Sequence, residues 1–421
     1  MSREIKESNV YWIGGIPKQW KLVPTKRVLR GTKSIVGSEV DNYERLALTM
    51  NGVIKRNKED NEGLQPEKFD NYQILRENEL VFKLIDLQNE KTSRVGLSPF
   101  TGIVSPAYIV LTNEQSDNRF YYYWFFDMYN RLVFNQMSDD GVRANLNVND
   151  LVNIPIPLIS LSEQKAIADF LDKKCAEIDE MIALQEKIVE ELKAYKQSVI
   201  TEAVTKGLNP DVPMKDSGIP WIGDIPAHWN VCFIKQIMRN KSIKGYPDER
   251  VLSLYRDYGV VLKDSRDDNH NVTSDDTSSY KFVEVGDFVI NKMKAWQGSM
   301  AVSRYQGIIS PAYYICRFTT DKIDKEYIHH LLRNETYKVE YMRLSSGLRI
   351  GQWDLNIDDF LRIKMVLPPI VEQQAIAKHL EKNCTEIDNL ISIKLSKIDS
   401  LKEYKKSIIY EYVTGKKEVT E

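Results

Sequence analysis

The sequence predicts an α+β protein built from two similar halves, each a small domain of mixed helix and strand followed by one long helix. Three observations predict this. A constant repeat joins the halves: Glu163-Gln-Lys-Ala-Ile-Ala-Asp-Phe-Leu171 returns as Glu372-Gln-Gln-Ala-Ile-Ala-Lys-His-Leu380, and 372 − 163 = 209. Leu192-Lys-Ala-Tyr-Lys-Gln-Ser-Val-Ile200 returns as Leu401-Lys-Glu-Tyr-Lys-Lys-Ser-Ile-Ile409 at the same offset, 401 − 192 = 209. Second, both copies lack Pro and Gly and carry apolar residues at heptad spacing, the mark of a helix with a pairing seam. Third, the segments between them are short apolar runs divided by turn residues, which is strand patterning.

In chain order, a short polar leader precedes Trp12-Ile-Gly-Gly-Ile-Pro-Lys-Gln-Trp20, and the second half opens with Trp221-Ile-Gly-Asp-Ile-Pro-Ala-His-Trp229, again 209 residues on. Gly and Pro forbid a regular helix here, so the box reads as a turn whose tryptophans clasp the domain that follows. Arg45-Leu-Ala-Leu-Thr49, Leu80-Val-Phe-Lys-Leu-Ile85 and Gly102-Ile-Val-Ser-Pro-Ala-Tyr-Ile-Val-Leu111 read as strands of a small mixed sheet. The aromatic stretch from Arg119 to Met137 reads as a helix packed on that sheet. Gly307-Ile-Ile-Ser-Pro-Ala-Tyr-Tyr-Ile315 mirrors the third run at an offset of 307 − 102 = 205, so the domain interiors differ in length while their edges repeat. Tyr108 and Tyr313 in these boxes are assigned to the core.

Pro155-Ile-Pro157 and Pro368-Pro369 close the two globular parts. With Ser162 as N-cap, the first long helix runs to Thr205 before Lys206-Gly-Leu-Asn-Pro210 stops it, a span of ~66 Å. One seam row is Leu171, Ile178, Gln185, Leu192 and Val199, repeated as Leu380, Ile387, Lys394, Leu401 and Ile408. A second row is placed at Met181, Ile188 and Tyr195, with Leu390 and Tyr404 in the other copy. Gln185 and Lys394 break the first row at equivalent points, either as a register device or as an open, solvated patch. The domain boundaries are 1–160, 161–210, 211–370 and 371–421.

The totals narrow the function classes. A chain of 421 residues exceeds one ordinary core. A net charge of −2 supplies no field over the whole molecule, so a polyanion site must be a local patch. Cys175, Cys232, Cys316 and Cys384 form no CxxC pair, which fits a reduced, cytoplasmic setting and disfavours zinc. The charged N-terminus is unlike a signal peptide, and no apolar run is long enough to span a membrane. There is no GxxxxGK[ST], no GxGxxG after a strand and no HExxH. The five histidines show no ligand spacing. No catalytic residue and no metal site is therefore assigned.

The paired Trp-Ile-Gly-x-Ile-Pro-x-x-Trp boxes, the divergent halves, the Ile-Ala-x-x-Leu helices and the Leu-Lys-x-Tyr-Lys-x-Ser endings together resemble the specificity (S) subunits of type I restriction-modification systems. The resemblance covers essentially the whole chain. It implies that 1–160 and 211–370 are target-recognition domains, and that the helices of 161–210 and 371–421 pair as an antiparallel coiled coil with pseudo-two-fold symmetry. It further implies a non-catalytic subunit that reads one half of a split motif in double-stranded DNA with each domain, while the helices set the gap. The implied partners are two methyltransferase (M) subunits and, in the full complex, restriction (R) subunits. S-adenosylmethionine, ATP and Mg would sit on those partners and no cofactor on this chain.

Base readers belong on loops at strand ends, where Arg and Lys address guanine and Asn and Gln adenine. In the first domain these are Lys83, Gln88, Asn89, Lys91, Ser93 and Arg94, with Arg143. In the second they are Lys292, Lys294, Trp296 and Gln297, with Arg304 and Arg349. The competing reading is a non-catalytic coiled-coil scaffold carrying two partner-binding domains. A metal-dependent nuclease is disfavoured by the lack of a ligand cluster.

Overall fold

The computed structural model describes residues 3–58, 68–88, 92–137, 145–265, 276–347 and 353–419. The chain forms two compact units, Met1–Glu186 with Ser396–Glu421, and Lys187–Leu395. Each unit holds one globular domain and a stretch of both long helices, which run over Leu161–Lys206 and Ile370–Val413.

In the first unit the hairpin of Ile5–Glu7 and Gly15–Pro17 carries the tryptophan box. One four-stranded sheet has the order Gly52–Arg56, Arg45–Thr49, Gly102–Val104, Gln73–Leu75, with a parallel pair at Ile103 and Arg45. A second, antiparallel sheet has the order Arg30–Gly31, Ile109–Thr112, Leu80–Phe82, Val95–Leu97. The aromatic stretch is a helix at Asn118–Asn130, and Leu132 at φ 56° separates it from a short helix at Val133–Met137. Its inner face, Phe120, Tyr121, Trp124 and Phe125, is at most 1% exposed and shares a core with Trp12, Trp20, Leu171, Ile178, Ile409 and Val413.

The second unit keeps this plan with shorter pairings. Met238–Lys241, Tyr313–Phe318, Phe288–Asn291 and Met300–Val302 form its four-stranded sheet. Leu252–Tyr255 pairs with Gly259–Leu262, and Lys281–Val283 with Gly307–Ile309. The helix at Lys325–Leu332 buries Tyr327, Ile328, Leu331 and Leu332 beside Val204, Trp229, Ile376 and Leu380.

The start of each long helix anchors its domain. Glu163 accepts from Trp20 Nε1 at 3.2 Å and pairs with Arg3 at 2.6 Å; its repeat counterpart Glu372 accepts from Trp229 Nε1 at 2.8 Å and meets His228 Nε2 at 2.6 Å. Gln164 Oε1 takes the backbone N–H of Asp117 at 2.9 Å, and Gln373 Oε1 that of Asp324 at 2.8 Å. Asp117 and Asp324 are in turn the N-caps of the inner helices, so each Gln grips a cap from outside. The repeated Glu-Gln pair therefore ties tryptophan box, inner helix and long helix together. The far ends close the same cores. Gly415, at φ 69°, lies where a Cβ would come within 2.8 Å of Trp20 and within 2.5 Å of Pro17, and Gly207, at φ 79°, lies against Trp229.

The first long helix begins one residue earlier than Ser162, and its cap is Ser160, whose Oγ accepts from Glu163 N at 3.2 Å. In the first unit the helices run antiparallel: Phe170 stacks near Tyr412 at 4.2 Å, and further along the first helix Asp179 takes Lys405 at 2.6 Å. In the second unit the repeat equivalents Lys196 and Asp388 make the same bond at 2.6 Å.

The first seam row lies inward at Leu171, Ile178, Leu380, Ile387 and Ile408, and half-buried at Leu192, Val199 and Leu401. The second row is shifted by one residue from Met181, Ile188 and Tyr195. It runs through Cys175, Ile182, Val189, Lys196 and Ala203, and in the other copy Cys384, Ile391, Ile398, Lys405 and Tyr412. Met181, Tyr195, Leu390 and Tyr404 are 42 to 60% exposed. Lysines at two inward positions disguise the true row; each lays its stem along the seam and extends its ammonium to an aspartate. Gln185 is buried, so it is no solvated patch, and Lys394 is half-buried.

His329 and His330 stand on the helix at Lys325–Leu332, and His329 Nδ1 accepts from Val302 N at 3.3 Å. Burial, then the nearby Arg333, pushes His329 well below its ordinary value and His330 down to about 4.

Both the cap contacts and the half-buried histidines can be tested. Gln164→Ala or Gln373→Ala leaves a cap N–H of the inner helix unpaired and should cost about 1–3 kcal/mol in denaturant unfolding, with Glu at the same position restoring part of it. Because both histidines are held neutral when folded, stability is complete above the unfolded value of about 6.5 and lost as pH falls towards 4; unfolding at pH 5 should show a deficit of about 1–2 kcal/mol against pH 8, smaller in His330→Gln.

Candidate nucleic-acid interface

The Ser-Pro-Ala-Tyr boxes form one turn made twice and held by different residues. In the first domain Tyr108 N donates to Ser105 O at 3.1 Å, and the amide of Gln73 donates to Ser105 O at 3.0 Å and to Tyr108 O at 2.6 Å. In the second, Tyr313 N donates to Ser310 O at 3.1 Å, and the ammonium of Lys281 donates to Tyr313 O at 2.6 Å. Gln73 and Lys281 open equivalent strands, 281 − 73 = 208. One backbone acceptor is thus met by a neutral amide in one domain and a cation in the other.

The surroundings diverge in the same sense. Tyr108 lies near Tyr72, Arg45 and Arg56; burial raises its phenol, Tyr72 adds to this, and the two arginines oppose it. Tyr313 is raised by burial, with Tyr280 and Tyr255 beside it. Lys281 is lowered by burial and then by the like charges of Lys244 and Lys292. Tyr72, Tyr280 and Arg45 are themselves buried, so these groups shape the turn from beneath.

The residues expected to read bases fall into distinct environments. Lys83 is half-buried, donates to Thr92 Oγ1 at 3.2 Å, and is lowered by burial and by Arg94. Gln88 is exposed, while Asn89, Lys91, Arg143 and Arg349 lie outside the described residues. Ser93 and Arg94 depart from the expectation of surface readers. Both are 2% exposed; Ser93 Oγ donates to Val95 O at 2.8 Å and Arg94 donates to Ile85 O and Asp86 O at 3.3 and 2.8 Å. Arg94 braces the loop that follows Leu80–Phe82, and Ser93 closes a local turn with Val95.

In the second domain Lys292 is half-buried with Asp354 at 3.5 Å, and Lys294 is exposed. Trp296 and Gln297 lie on a short turn of helix at Ala295–Gln297, where the Trp296 ring meets Trp353 edge-on at 5.3 Å and its Nε1 donates to Met293 O. Arg304 is exposed and reaches Glu326 at 3.3 Å. The structure therefore brings Lys292 to the Ser-Pro-Ala-Tyr turn and leaves Arg304 beside the inner helix. The sequence reading did not name the residues around these turns, Arg45, Arg56, Tyr72 and Gln73 in one half and Lys244, Tyr255, Tyr280 and Lys281 in the other; of these Arg45, Tyr72, Gln73 and Tyr280 are buried. The signal was the repeat Tyr72-Gln73 against Tyr280-Lys281.

Among the described residues no group of three or more His, Cys, Asp and Glu is placed to hold a metal ion, and no helix is long and apolar enough to cross a membrane.

Comparison with known proteins finds likenesses in sequence and in fold. Residues 29–194 match the family described as type I restriction modification DNA specificity domain. The type I restriction enzyme MjaVIII specificity subunit of Methanocaldococcus jannaschii is 30% identical over 277 residues, which are 63% of this chain and 62% of that one. The chain thus spans under two thirds of the length of that relative. A solved chain from work on complex assembly and conformational transition of the type I R-M system superposes with a TM-score of 0.69 at 14% identity, covering 96% of this chain and 99% of that one. The HsdS subunit from Thermoanaerobacter tengcongensis superposes with a TM-score of 0.52 at 16% identity, covering 96% and 98%. At these identities the superpositions establish the shared fold, and residues 29–194 carry a type I restriction modification DNA specificity domain.

Proposed function

We propose that this chain is the DNA sequence-recognition subunit of a type I restriction-modification complex. Each domain reads one half of a split motif, and the paired helices fix the gap between the halves. The observation that carries this reading is the turn made twice with different contents, Gln73 with Arg45 and Arg56 in one domain and Lys281 with Lys244 and Lys292 in the other. Two readers of one architecture and different surface chemistry are what a motif with two unlike halves requires.

The helices support docking of two equal methyltransferase subunits. In the first unit Met181, Leu184 and Tyr404 are 42, 55 and 56% exposed; in the second their repeat equivalents Leu390, Ile393 and Tyr195 are 46, 61 and 60% exposed. By heptad position Met181 and Tyr404 flank the seam on one side of the antiparallel pair, as do Leu390 and Tyr195. Each unit thus offers the same apolar trio, and apolar residues recurring on a surface at matched sites mark a partner interface. In this reading the chain contributes no catalytic residue, S-adenosylmethionine, ATP and Mg are bound by the methyltransferase and restriction subunits, and the complex works in the cytoplasm.

Co-expression with the methyltransferase subunits should produce methylation at one split motif, and deletion of this chain should abolish it; methylome sequencing that shows no split motif lost would sink the reading in favour of a scaffold. Inserting one heptad after Glu186 and one after Leu395 keeps the seam in phase and adds ~10 Å of helix. Both half-motifs should persist while the gap grows by about 3 base pairs. Glutamate at Met181 and Leu184 should reduce the number of co-purifying methyltransferase subunits from two to one.

A further inference from the structure

Near-neutral overall charge hides two strongly one-sided segments. The chain carries 60 acidic residues in 421, about one in seven, yet none occurs between Glu7 and Glu39 or between Asp224 and Asp248. Within the first gap Lys26, Arg27, Arg30 and Lys33 follow one another; within the second come Lys235, Arg239, Lys241 and Lys244. Lys26 and Lys235 are repeat equivalents, as are Arg30 and Arg239, since 235 − 26 = 209 and 239 − 30 = 209.

The fold puts both segments in the same place. Arg30–Gly31 and Met238–Lys241 are edge strands of their four-stranded sheets. Lys26, Arg27, Arg30, Lys33, Lys235, Arg239 and Lys244 are all exposed. Among the described residues Lys241 alone of the eight pairs with carboxylates, Glu284 at 2.6 Å and Asp287. Lys26 donates to the neutral Asn153, and Lys235 lies over the Phe233 ring at 5.2 Å. Arg239 is directly opposite Arg317 in the strand register. Arg317 is already taken by Glu284 and Asp287.

Each stripe also runs into the candidate reading site. After Arg30 the chain continues to Ile35, which bridges to Gln73; after Arg239 it continues to Ile243, which accepts from Phe282 N at 2.8 Å, and to Lys244 beside Lys281.

We infer that these two edge strands are the tracks that hold the sugar-phosphate backbone of duplex DNA, one per domain, with Arg30 and Arg239 as equivalent phosphate contacts independent of sequence. The inference rests on the DNA-recognition reading and names the surface on which it operates. Residues that read bases must differ between domains that read different half-motifs, whereas the phosphate backbone is the same in both. Exposed cations that match across the repeat, without a carboxylate partner among the described residues, on a segment free of acids and continuous with the divergent turn, meet the second requirement.

The test uses the full chain co-purified with its methyltransferase subunits. Binding is measured by fluorescence anisotropy on a duplex carrying the mapped motif and on a scrambled duplex, from about 50 to about 200 mM salt. In the double variant Arg30→Gln with Arg239→Gln, the slope of log K against log salt should shallow by about 2, close to 0.9 for each phosphate no longer neutralised. Affinity should fall by the same factor on both duplexes, and the methylated motif should be unchanged. Lys173→Gln with Lys382→Gln, exposed repeat-matched lysines on the long helices, should leave the slope as it was. An unchanged slope in the arginine variant overturns the inference. So does a loss confined to the motif duplex, which would make the arginines base readers, or lost methyltransferase co-purification with DNA binding intact, which would make the stripe a protein-docking surface. If the wild-type complex itself shows no salt-dependent duplex binding, the recognition reading falls and the inference falls with it.

Discussion

The structure depends on the Glu-Gln pair at the head of each long helix. Glu163 and Glu372 accept the indole N–H of a fully buried tryptophan, and Gln164 and Gln373 accept the N–H of the residue that caps the inner helix. A buried indole or amide without a partner would cost about 1–3 kcal/mol, so both side chains have to be where they are for the domain to close. Because the pair is part of the long helix, closing the domain also fixes the angle at which that helix leaves it.

Much of this was legible in the sequence because repetition is a strong filter. The offset of 209 picked out the tryptophan boxes, the Glu-Gln pairs and the helix ends, which prove to be the parts that touch one another in each unit. The phase of the second seam row was not legible. Apolar periodicity favours Met181, Ile188 and Tyr195, whereas the true row carries Lys196 and Lys405, whose stems pack inward while their ammonium groups leave to Asp388 and Asp179. Hydropathy scores a lysine as outside, although most of its length is hydrocarbon.

The candidate readers were chosen on loops after the central strands, but a pattern of polar residues does not tell which face the strand alternation sends inward. Ser93 and Arg94 precede the strand at Val95–Leu97 and point into the domain, where Arg94 satisfies two backbone carbonyls of the neighbouring loop. Gln73 and Lys281 were overlooked for the converse reason. They sit inside apolar strands, Gln73-Ile-Leu75 and Lys281-Phe-Val283, which read as core, and only the fold brings them under the Ser-Pro-Ala-Tyr turn.

The inner helix shows how one scaffold can accept two contents. Its buried face is matched residue by residue, Phe120, Tyr121, Trp124 and Phe125 against Tyr327, Ile328, Leu331 and Leu332, because it must fill the space that the tryptophan box and the long helices enclose. Its outer face is released from that demand. Tyr122 and Phe126, stacked at 5.4 Å in the first domain, are replaced by His329 and Arg333 in the second, where Arg333 donates to the carbonyl of Arg256 instead of extending an aromatic cluster. The inner positions stay apolar in both domains although their residues differ in size, whereas surface chemistry can change sign at little cost to stability. Divergence therefore collects on surfaces the Glu-Gln pair does not use, and matched residues that stay exposed elsewhere, such as Arg30 and Arg239 on the edge strands, call for a cause outside the fold.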